Sequence, residues 1–162
     1  MDRITRAYFC GAVASLLVVL SAALQTQGTG NPHVGTWKMN VAKSTFSPGF
    51  VPPKSDIAKI EAVGAGQKVT VDQVAADGRI THREYTANYD GKDYPITGSN
   101  NDTVALTRID ARTIQSVFKR AGSVTATQIA VVSADGKTLT RTTKGLNAAG
   151  QSVDRSTVFD RQ

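Results

Sequence analysis

Arg155 stands in the middle of an alternating stretch, Ser152 to Arg161, on the same side as Val153, Thr157 and Phe159. A guanidinium turned toward a protein interior loses its hydration and needs a partner. That partner could be a carboxylate of a bound ligand or a structural acid such as Glu84. A one-residue bulge that returns Arg155 to solvent would produce the same pattern. Tyr85, Tyr89, Phe118 and Phe159 could wall a cavity with their rings, the phenol groups offering hydrogen bonds; ordinary core packing uses the same residues. His82 and Glu84 share one face of their stretch and, with Asp72 or Asp102, could carry out acid–base chemistry. Solvent-facing strand residues alternate in the same way. The chain has two histidines and one cysteine, too few for a zinc-type ligand set, so no metal site is expected. There is no Gly-x-Ser-x-Gly elbow and no phosphate-binding glycine loop, so neither a catalytic nucleophile nor a cofactor is implied. These residues favour binding over catalysis.

The elements that must position these groups begin after the N-terminus. Residues 1–23 carry Arg3 and Arg6, then an apolar run from Ala7 to Leu20, then Ser21, Ala22 and Ala23. This pattern predicts a secretory signal peptide cleaved after Ala23, hence a secreted or periplasmic protein. The run is shorter than the ~20 apolar residues of a spanning helix, so no stable membrane insertion is expected after cleavage. A flexible lead-in, 24–33, is followed by one folded domain, 34–162. Cys10 falls in the signal segment, which leaves the domain without a disulfide and dependent on its core. The formal charge is +6, but the basic residues are scattered. Nucleic-acid binding, which needs a clustered stripe, is not expected.

The domain is rich in threonine and valine and has only two glutamates, Glu61 and Glu84. This composition favours strands. Turn signals built from Asp, Asn and Gly recur about every 10–14 residues, a rhythm of short antiparallel strands. Candidate strands are 34–41, 56–63, 67–75, 79–89, 93–97, 103–109, 112–119, 123–133, 137–144 and 152–161. They predict an all-β, up-and-down barrel of eight to ten strands, since a long meander closes to hide its edges. Segment 42–55, with Pro48, Pro52 and Pro53, reads as a loop able to hold a helical turn or a lid. If the last strand runs antiparallel to the first, Trp37 and Arg161 share the inward face. A guanidinium over an indole contributes about 0.5–2 kcal/mol and would plug one end of the barrel.

The opening Gly35-Thr36-Trp37-Lys38 and the closing Val158-Phe159-Asp160-Arg161-Gln162, joined by an all-β meander, resemble the calycin superfamily of lipocalins and fatty-acid-binding proteins. The resemblance implies a lipocalin-like barrel in which Gly35 and Trp37 open the first strand and Trp37 packs on Arg161. It also implies a small hydrophobic or amphipathic ligand. The fatty-acid-binding Arg-x-Tyr anchor is replaced by Thr157 and Phe159, and 42–55 is too short for the usual pair of capping helices. The chain further resembles small exported bacterial proteins in phrases such as DGKDYPITG, which implies no activity. Three functions follow: a ligand-binding barrel with Arg155 or a tyrosine at the polar end, a protein-interaction or inhibitor-like module of the cell envelope, and a barrel enzyme using His82 and Glu84.

Overall fold

The computed structural model of the protein describes residues 30–146, 150 and 152–162. The expected signal segment and residues 24–29 of the lead-in lie outside the described residues. Ten strands follow in order: β1 Gly35–Thr45, β2 Ser55–Val63, β3 Gly66–Val74, β4 Ile80–Asn88, β5 Asp90–Thr97, β6 Thr103–Arg108, β7 Thr113–Arg120, β8 Ser123–Val132, β9 Thr138–Leu146 and β10 Ser152–Arg161. Each pairs antiparallel with its neighbour, and β1 pairs with β10, so the meander closes into a barrel with no free edge. No helix occurs among the described residues.

Local chemistry explains the turns. Ala76-Asp77-Gly78-Arg79 and Ala134-Asp135-Gly136-Lys137 fold alike. In each, the aspartate Oδ1 accepts a hydrogen bond from the backbone N–H two residues on, at 2.9 and 3.0 Å. The glycine that follows takes a positive φ of 90° or 70°, a conformation costly for residues with a Cβ.

Alternation sorts the barrel wall into two faces. Trp37, Ala58, Ile60, Val69, Val71, Leu106, Ile114, Leu139 and Phe159 are buried inside, each large side chain contributing about 1.5–3 kcal/mol. The interior is not uniformly apolar. Asp56, Gln67, Ser116, Arg141, Thr143 and Thr157 are buried among these residues.

β1 extends past the loop boundary expected at residue 42. Its register with β10 breaks between Asn40 and Thr45. Ser44 bridges the break, its Oγ donating to the Asn40 carbonyl (2.7 Å) and accepting from the Val158 N–H (2.9 Å). The side-chain hydroxyl thus stands in for a missing backbone link. The remaining connection, 46–54, forms a strap rather than a helical turn. Ser47 pins it to β10, donating to the Asp154 carbonyl and accepting from the Asp154 N–H. Phe46 and Phe50 stack within it, ring centroids 5.1 Å apart.

Candidate ligand-binding site

One end of the barrel is sealed. The Arg161 guanidinium lies 4.1 Å from the Trp37 ring, and the two residues are register partners. Arg161 also donates to the backbone carbonyls of Gly136 (2.6 Å), Val34 (2.8 Å) and Pro32 (2.6 Å). Trp37 Nε1 donates to the His33 carbonyl at 2.8 Å. Gly35 is required here on two counts. Its φ is +141°, and a Cβ would collide with the Arg161 guanidinium. The opening glycine and tryptophan and the closing arginine are therefore one structural unit.

His33, expected in a flexible lead-in, is instead buried, with 1% of its surface exposed. Burial pushes its pKa from 6.5 down to about 4, with Arg108 and Arg141 adding repulsion and a hydrogen bond to the Arg112 backbone opposing. The unfolded chain therefore binds this proton more readily than the folded one. The neutral imidazole's contribution to stability is complete above pH 6.5 and is lost as the pH falls toward 4. Acidification over that window is expected to cost about 3 kcal/mol through His33. Urea midpoints measured from pH 7.5 to 4 check this: His33→Gln should flatten the profile, and equal slopes in the two proteins would refute it.

Above the seal the barrel is filled. Tyr85 is buried, its phenol pushed up by desolvation. It lines, with His33, Gln67 and Ser116, a void of about 10 Å³, the room of roughly one water. Tyr89 spends its hydroxyl inside the protein, donating to Gln67 Oε1 (3.0 Å) and accepting from Asn31 Nδ2 (2.8 Å). Phe118 is core. The cavity-lining roles expected of Tyr85, Tyr89 and Phe118 are thereby corrected: their rings fill the space they were expected to border.

The open end differs. Arg155 points inward, as its alternation implied, with no bulge turning it out. Glu84 is not its partner: that carboxylate lies on the outer face, 3.0 Å from Lys68 Nζ, whose hydrogen bond lowers its pKa. Arg155 lies 5.4 Å from the Phe50 ring of the strap. It lines three cavities at once. One of about 40 Å³ is walled by Asp56, Gln73, Arg83, Arg141, Arg155 and Phe159, among others. One of about 380 Å³ lies between strap residues 47–50 and the start of β10. The third, of about 290 Å³, lies against β8, β9 and the turn at Asn100 and Asn101.

Asp56, Arg83 and Arg141 did not stand out in the sequence. Arg83 alternates with Tyr85 and Ala87, and Arg141 with Leu139 and Thr143; that same-face placement was the available signal. Arg141 is 7% exposed and its guanidinium lies 4.6 Å from the Phe159 ring. Burial lowers the pKa of Arg141, with Asp56 opposing; burial also lowers that of Arg155, with Arg83 adding repulsion. Among the described residues none of the three guanidiniums forms an ion pair. Asp56 Oδ2 accepts from Gln73 Nε2 at 2.8 Å, while Asp56 Oδ1 and Arg83 Nε are buried without a partner.

The acid–base pair fares otherwise. His82 Nδ1 sits 2.7 Å from Asp72 Oδ1, and both side chains are mostly exposed. His82 and Glu84 face solvent and not a pocket, which removes the geometry a barrel enzyme would need. Among the described residues no three His, Cys, Asp or Glu side chains converge in a way that could hold a metal ion.

No family model matches the chain, and no curated protein matches it. Among solved structures it is similar to the zebrafish ileal bile acid-binding protein complexed with cholic acid. The identity is 12% and the TM-score 0.50, over 81% of this chain and 99% of that one. The fold is a calycin fold. In this calycin barrel the seal at Trp37 and Arg161 occupies one end, and the inward arginines lie toward the other.

Proposed function

We propose that this protein is an exported carrier of a small, partly hydrophobic molecule, taken up at the open end of the barrel with Arg155 holding the molecule's polar end. One observation carries the reading: Arg155 projects inward where three cavities meet. Sites of this kind combine apolar walls with a few fixed polar groups. Here the strap phenylalanines and Val153 supply apolar wall, and the filled lower barrel calls for a shallowly seated ligand. The zebrafish barrel of like fold holds cholic acid, which supports a small ligand in general. Export rests on the Arg3, Arg6 and apolar-run pattern of residues 1–23.

Native mass spectrometry of protein purified from its own host tests the reading. A co-purified small molecule, lost in Arg155→Ala while the fold is kept, is the expected result. Protein that is consistently empty and takes up no amphiphile would overturn it.

A second reading, an interaction module of the cell envelope, is favoured by exposed apolar residues at the same end: Phe50, Val51, Ile80, Val124 and Leu146. Singly exposed apolar residues are common. That reading gains weight only if the interior refuses ligands.

A further inference from the structure

We propose that the polar end of the ligand is a phosphomonoester, held in the inner chamber by Arg83, Arg141 and Arg155 and by a hydrogen bond to Asp56. The inference rests on the carrier reading above and narrows it to one head-group chemistry.

Charge comes first. Three guanidiniums and one carboxylate line the chamber, a formal surplus of two positive charges in a largely buried place. Buried arginines are ordinarily met by carboxylates or other acceptors. These three form no ion pair among the described residues. An anion with several acceptor oxygens matches their planar donor forks.

The aspartate decides which anion. Asp56 is 6% exposed, and its Oδ1 has no donor. A carboxylate or a sulfate monoester brings only acceptors at neutral pH and would set a second negative charge against that oxygen. A phosphomonoester has a second pKa of about 6. In its monoanionic form it carries acceptor oxygens for the guanidiniums and one P–OH that can donate to Asp56 Oδ1. It supplies an acceptor for Arg83 Nε at the same time. No other common head group of this size completes both orphaned atoms.

Size agrees. The chamber measures about 40 Å³; at roughly 10–15 Å³ per water, that is the room of about three waters, a scale suited to a phosphoryl group and not to a whole ligand. Phe50 and Arg155 also line the cavity of about 380 Å³ under the strap. The organic body of the ester belongs there, against the stacked Phe46 and Phe50.

Calorimetric titration of the full-length folded protein with octyl phosphate, octyl sulfate, octanoate and 1-octanol tests this. Octyl phosphate is expected to bind about tenfold or more tightly than the sulfate or the carboxylate, the penalty for facing an unpaired buried acceptor. Asp56→Asn, which replaces the lone acceptor with a group able to donate, is expected to close that gap chiefly by strengthening octyl sulfate. Its fold is checked by circular dichroism, and the wild-type ranking stands as a test without it. Inorganic phosphate is expected to bind more weakly than the octyl ester; equal affinity would overturn the assignment of the outer cavity to the ester's body. Octyl phosphate binding no better than octyl sulfate to the wild type would overturn the head-group inference and leave the carrier reading intact. An unchanged preference in a folded Asp56→Asn protein would overturn the role of Asp56. No binding by any of the four amphiphiles would overturn the carrier reading itself.

Discussion

Trp37→Ala is expected to lower the stability of the barrel by about 4 kcal/mol, the usual scale for emptying a large aromatic site in a packed core. Trp37 is fully buried, and its removal does more than leave a void. Arg161 loses the ring it covers at 4.1 Å, and the His33 carbonyl loses its donor. Domains of this size are stable by only about 5–15 kcal/mol, so the variant should sit close to its unfolding threshold. Arg161→Gln should cost less but act on the same structure. A double-mutant cycle in urea, comparing the two single variants with the pair, is expected to show a coupling of about 1–2 kcal/mol. Strict additivity would mean that the indole and the guanidinium are neighbours without being partners. A Trp37→Ala protein of unchanged stability would remove the seal from the account of this fold.

The second large effect has the opposite sign. Arg141→Met is expected to stabilise the ligand-free protein by about 1–3 kcal/mol, because a buried guanidinium forgoes hydration that its surroundings do not restore. Methionine keeps a flexible apolar stem against Phe159 and removes the charge. The lost contact with the Phe159 ring, 4.6 Å away, subtracts about 0.5–2 kcal/mol and does not reverse the balance. Asp56 is not stranded, since Arg83 and Arg155 line the same chamber. The melting temperature should rise by several degrees, and binding of an anionic amphiphile should fall. A variant that melts below the parent would show that Arg141 is a structural member of the core. Stability surrendered at one interior position in return for binding is the signature of a functional site.

Much of this architecture could be read along the chain. In residues 152–161 a period of two placed Arg155, Thr157 and Phe159 on one face, and the structure keeps them there. The antiparallel pairing of the two ends put Trp37 opposite Arg161, which is their register. Turn spacing located nearly every hairpin. The failures have physical causes. The end of β1 was hidden because a serine hydroxyl, not the backbone, carries the link at the bulge. His33 read as loose because its neighbours are Gly, Asn and Pro, yet the carbonyls around it are tied down by side chains far away in sequence. The arginine chamber was invisible for a third reason. Arg83, Arg141 and Asp56 each lie on a strand whose alternation is only mildly apolar, where an inward charge and an outward one look alike. Barrel closure alone brings the three strands' charges to one place.

The closing seam has a kinetic consequence. Arg161 donates to a carbonyl 127 residues earlier, and β1 finds one of its two neighbours only in β10. The intervening hairpins are local and can form in sequence, each closing a short loop at little entropic cost. The seam cannot: it must wait until residues 152–161 have left the ribosome. Until then β1 is an unpaired edge exposing Trp37, open to non-native pairing or to capture by a chaperone. Barrel closure should therefore be the late, concerted step of folding. The rate should respond weakly to changes in the middle hairpins and strongly to the sequence distance between Trp37 and Arg161.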